Sequence, residues 1–119
     1  MNRFIFVMNH SATLEQLSAA SNLAAEVIQF TDRDLLTVPH DPNLPREWFT
    51  TRAEEIIRLV GGIQKGDVLH VMGQPQLAIA VMAAGRRAGA RIVESIHPRT
   101  KIPGKRPFQF SGFRDVYEY

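Results

Sequence analysis

The chain has 119 residues, 45% of them apolar and 22% charged, and no cysteine. That length suits one domain with its own core, and the missing cysteine excludes a disulfide framework, a thiolate zinc site and a thiol nucleophile and fits a reducing compartment. Net charge is +2, yet residues 1–85 hold six Lys/Arg against nine Asp/Glu while residues 86–119 hold eight against three, so the C-terminal third suits an anionic partner.

The opening Arg3–Met8 is apolar and β-prone and reads as a first strand. Polar Asn9-His10 cuts it too short for a signal peptide, and no apolar run in the chain nears the about 20 residues of a membrane helix. The expectation is a cytoplasmic protein with no membrane partner. Thr13 with Gln16 three residues on forms a capping-box pattern that predicts a helix over 13–23. Glu26–Phe30 reads as a second strand. Prolines 39, 42 and 45 mark 33–45 as a loop, with Pro45 placed to open the next helix. Trp48, Phe49, Ala53, Ile56, Ile57 and Val60 repeat at helical spacing over 47–60, and Gly61-Gly62 stops that helix. Asp67–Met72 is a third strand, 77–88 a helix of small residues ending at Gly89, and Ala90–Ile96 a fourth strand. Two short segments, 108–110 and 113–117, read as a terminal hairpin or edge strands.

Strands alternating with helices predict a three-layer α/β fold, a mostly parallel, Rossmann-like sheet with a short C-terminal strand pair, spanning 1–119 as a single domain. Such sheets bind ligands beyond the carboxyl ends of their strands. The residues expected there are Asn9, His10 and Ser11 after the first strand, Thr31 and Asp32 after the second, Gly73 and Gln74 after the third, and Ser95, His97 and Arg99 after the fourth. Gly73 lets a ligand approach the backbone at a helix start, where free N–H groups favour an anion, although Pro75 removes one of them. Arg99, Lys101, Lys105 and Arg106 form a basic segment suited to phosphate oxygens. His10 is a candidate proton-transfer residue. His40 and His70 read as structural. The histidines lack a short metal-ligand spacing, and there is neither GxGxxG nor GxxxxGK[ST], so no metal or nucleotide cofactor is expected. No basic recognition helix supports sequence-specific DNA binding.

Several of these segments resemble the small CRISPR-associated ring nucleases of type III systems: the strand running into Asn9-His10 with Thr13 and Gln16 after it, the stretch Gly66-Asp67-Val68-Leu69-His70-Val71-Met72-Gly73, Ser95 ahead of Arg99, and the aromatic and Arg element ending at Tyr119. The resemblance implies a CARF-like domain that works as a homodimer, binds the second messenger cyclic tetra-adenylate, and cleaves it without metal. The ribose 2′-OH attacks the neighbouring phosphorus, giving linear products with a 2′,3′-cyclic phosphate and switching off type III antiviral signalling. It also implies His10 and Arg99 as catalytic residues, and Asn9, Ser11, Gly73, Gln74, Ser95, Lys101 and Arg106 as substrate contacts. Gln74-Pro75 departs from the family, whose members tend to carry an acidic residue and a further glycine there. The alternative from the same surface is a non-catalytic cyclic oligoadenylate binding protein, a sensor or sponge.

Overall fold

Arg3–Val7 forms β1, and its last four residues, Phe4, Ile5, Phe6 and Val7, are all buried. A run buried on both faces belongs to the centre of a parallel sheet. The computed structural model, which describes residues 2–98, 103–104 and 109–119, places it there. Along the chain follow α1 (Leu14–Ser21), β2 (Glu26–Phe30), α2 (Arg33–Leu36), α3 (Arg46–Leu59), β3 (Val68–Val71), α4 (Pro75–Arg87), β4 (Arg91–Ile96) and β5 (Gly112–Asp115). The five strands lie in the order β2-β1-β3-β4-β5. The first four are parallel and β5 runs antiparallel to β4. The expected α/β class with a mostly parallel sheet is therefore observed.

Alternation along the strands divides the core in two. Ile5, Val7, Leu69, Val71 and Ile92 face α3 and α4, where Phe49, Ala53, Ile56, Leu77 and Val81 meet them. Phe4, Phe6, Met8, Val68 and Val93 face the other way, onto Ala20 of α1 and Ala24, with Phe113 of β5 packed alongside. α4 comes very close to the sheet at Gly85, where an added Cβ would lie 2.5 Å from Leu69 Cδ2 and 3.3 Å from Ile92 Cδ1. Both neighbours are buried and can shift only by disturbing the core packed around them. Gly85→Val should therefore cost about 1–3 kcal/mol, read as a lower denaturation midpoint in urea with an unchanged slope.

The edge opposite the strand carboxyl ends is held by an ion pair. Asp67 is 1% exposed and sits 3.2 Å from the Arg3 guanidinium. Its Oδ1 accepts from Arg3 N at 3.0 Å and its Oδ2 from Gln64 N at 2.8 Å. Arg3 also donates to the carbonyls of Val60 and Gly62, binding the end of α3 to β1. Burial alone would push the Asp67 carboxyl up, but these donors and the guanidinium charge together hold it below the usual carboxylate range. The Gly66-Asp67 pair thus has a structural job, far from the strand carboxyl ends.

Two sequence expectations are corrected and a third is narrowed. The loop 33–45 contains the short helix α2, N-capped by Asp32, whose Oδ1 accepts from Leu35 N at 3.1 Å. With 4 residues it is too short to show a period. α4 begins at Pro75, because Gln74 takes the N-cap position and proline suits the next one. Of the two readings of the C-terminus, the hairpin gives way to the edge strand: β5 lies along the free edge of β4, with Ser111 N donating to Ile96 O at 2.9 Å, while Phe108 lies outside the described residues and Gln109 and Phe110 are in no strand. Among the described residues, no helix is long and apolar enough to cross a membrane.

Candidate functional site at the carboxyl ends of the strands

From β1 the chain crosses through α1 to β2 on one side, while β3 leads through α4 to β4 on the other. Strand order therefore reverses between β1 and β3, which is where such sheets open a crevice. A small pocket of about 40 Å³ lies there. Its floor is apolar, built from Val7, Val71, Leu77 and Val81, and its lip carries Asn9, Gly73 and Gln74. Three residues expected from sequence thus meet at one point.

Gly73 has φ +144°, a backbone conformation that side chains disfavour, and a Cβ added there would meet nothing within 4 Å. Its glycine answers to backbone conformation and leaves the main chain bare. The start of α4 is less open to an anion than the sequence suggests. Pro75 has no N–H, and Leu77 N–H is taken by Gln74 Oε1 at 2.9 Å. Of the N–H groups a helix start leaves over, those of Gln74 and Gln76 remain. The Gln74 amide nitrogen, freed by this use of its oxygen, is a further donor at the lip.

The loop carrying His10 and Ser11 follows directly from β1. It is fixed at both ends: Met8 N donates to Phe30 O at 3.1 Å, and Ala12 N donates to Gln29 Oε1 at 2.8 Å. Both His10 and Ser11 are exposed. His10 Nδ1 lies 3.1 Å from Ser11 O. A carbonyl only accepts, so Nδ1 carries the proton in the neutral ring, and Nε2 presents its lone pair outward as a base.

Ser95 behaves differently. It lies at the same edge but on the α1 side of the sheet, and its hydroxyl is engaged. Gln16 Nε2 donates to Oγ at 3.0 Å, and Oγ stands 2.6 Å from His70 Nε2. His70 is fully buried among Phe6 and Phe113, and its Nδ1 finds no hydrogen-bond partner among the described residues. Burial, helped by the nearby His97 and His10, pushes its pKa down to about 4, so it is neutral at pH 7. Ser95 and His70 do not make an acyl-transfer pair: no carboxylate orients Nδ1, and the ring is a weak base. His70 is the residue that sequence reading set aside. The available signal was a lone polar side chain inside the apolar run Val68–Met72.

Arg99, Lys101 and Arg106, together with Lys105, lie outside the described residues. His97 is exposed, its ring 5.8 Å from that of Phe110. Among the described residues no group of three or more His, Asp or Glu side chains is placed to hold a metal ion.

Comparison of the chain with models of known protein families, with curated proteins and with solved structures finds no match.

Proposed function

We propose that this protein is a ring nuclease: it binds cyclic tetra-adenylate across the carboxyl ends of its parallel strands and opens the ring by attack of a ribose 2′-OH on the adjacent phosphorus. The observation that carries the reading is the crevice at the β1/β3 reversal, with Asn9, Gly73 and Gln74 at its lip and the His10 loop beside it. A pocket of about 40 Å³ is far too small for four nucleotides. The ring would therefore have to lie across two copies of the chain, each supplying one strand-end surface, as the resemblance implies.

In this mechanism His10 Nε2 takes the proton from the 2′-OH as the O2′–P bond forms. The P–O5′ bond then breaks, and the departing oxygen is protonated from the imidazolium or from water. Products are a 2′,3′-cyclic phosphate and a free 5′-hydroxyl. The attacking oxygen belongs to the substrate, so the protein's task is to hold attacking and leaving oxygens in line and to balance the charge on phosphorus. Arg99 would supply that charge, with Lys101 and Arg106 on neighbouring phosphates. Asn9, Ser11 and the Gln74 amide would hold ribose and phosphate oxygens, and Gly73 would let them approach.

The test is incubation with cyclic tetra-adenylate in EDTA, with products separated by chromatography. Linear adenylates ending in a cyclic phosphate are expected. Intact ring with heat of binding by titration calorimetry would leave a messenger-sequestering protein in its place. Intact ring with no heat would overturn both.

A further inference from the structure

Three buried or half-buried polar side chains from α1, β4 and β3 meet on the α1 face of the sheet, and the proposed chemistry uses none of them directly. Gln16 is the hub nearest the site. Its Oε1 accepts from Thr13 N at 2.9 Å, and its own N donates to Thr13 Oγ1 at 3.1 Å. Because the amide oxygen is committed to Thr13, the NH₂ must face Ser95, 3.0 Å away. Ser95 Oγ accepts that hydrogen bond and makes a second one, 2.6 Å long, with His70 Nε2; the relay takes the hydroxyl as its donor. With that direction Nε2 holds a lone pair and the ring proton sits on Nδ1, which has no partner among the described residues. One directed chain of hydrogen bonds therefore runs from the middle of β3 through the end of β4 to the N-terminal turn of α1, three residues after His10.

We propose that His70, Ser95 and Gln16 form a positioning relay, which fixes the first turn of α1 and with it the loop that aims His10. This rests on the proposed ring cleavage for its effect on rate. His70 is 0% exposed and cannot touch a ligand, so it is a positioning residue and not a catalytic one. Its neutral state at pH 7 keeps Nε2 available to Ser95. An apolar side chain at 70 would fill the space between Phe6 and Phe113 and remove the unpartnered Nδ1, but it would strip Ser95 Oγ of its acceptor, and unmatching one partner of a hydrogen bond costs stability. A polar chain kept where an apolar one would pack is explained by direction: hydrogen bonds fix one orientation of the helix start, and dispersion contacts do not.

The test compares His70→Phe, which removes the acceptor and keeps a ring, with His70→Gln, whose amide oxygen can take the Ser95 proton. In the wild-type protein, ¹⁵N spectra should show Nδ1 protonated and Nε2 not. In His70→Phe, hydrogen exchange at the Ala12 and Gln16 amides should rise about tenfold above any global change. kcat on cyclic tetra-adenylate should fall by about ten- to a hundredfold with KM unchanged, the size expected from a misaimed reacting group. His70→Gln should recover most of both. Wild-type exchange and kcat in His70→Phe, or exchange rising uniformly over the whole chain, would overturn the relay. Should His70→Phe fail to fold, Ser95→Ala cuts the same chain by removing one oxygen. Should the wild-type protein leave the ring uncut, the nuclease reading fails on that result alone, and the exchange measurement still decides the relay.

Discussion

Asp67→Ala should unfold much of the protein at temperatures where the wild type is intact. The carboxylate accepts from two backbone N–H groups and the Arg3 guanidinium. At 1% exposure it has almost no water to fall back on, and Arg3 is itself only 17% exposed. Removing one partner of such a pair leaves a desolvated cation and two unpaired donors, which costs about 3–5 kcal/mol. That is a large part of the about 5–15 kcal/mol by which domains are stable. A melting temperature lower by on the order of 10 °C is expected, and loss of only a degree or two would mean that the pair is replaceable. Acid tests the same bond. The folded pKa of Asp67 lies below its unfolded value, so its contribution is complete above the unfolded pKa and disappears as pH falls through the folded one. Asp67→Asn should therefore flatten the acid limb of the stability curve as well as lowering its plateau.

His10→Ala should lower ring cleavage at least tenfold, and by up to about 10⁴-fold if the imidazole carries the whole proton transfer. The fold should be untouched. The side chain is exposed and its bond is to the carbonyl of the next residue, so the circular dichroism spectrum and melting temperature should match the wild type. Ring affinity should change little, because a base acts on the transition state more than on the bound substrate. Wild-type turnover in this variant would remove His10 from the mechanism.

Most of the fold can be read from local pattern. The unbroken apolar run of β1, the capping box of Thr13 and Gln16, and the 3.6-residue period of α3 each announce themselves within a dozen residues. What stays hidden depends on who lies beside whom. β5 reads equally well as half of a terminal hairpin, since nothing local says that β4 offers a free edge. Ser95 reads as a free hydroxyl at a strand end. Its capture by His70 follows from register, which sets His70 against Val93, two residues before Ser95, and from α1 laying Gln16 over the same spot. The site is legible to the same extent: Asn9, Gly73 and Gln74 follow from their places after strands, whereas the use of the Gln74 oxygen as a cap needs coordinates.

That cap has a consequence for how any phosphorylated ligand is gripped. Backbone donors at a helix start hold an anion without any side-chain charge, but here proline and a glutamine oxygen have used up half of them. On the proposed ring binding, the attraction then falls to cationic side chains, and pairing those with phosphates sheds counterions. Affinity built this way falls linearly on a double-logarithmic plot against ionic strength, with a slope that counts the phosphates engaged.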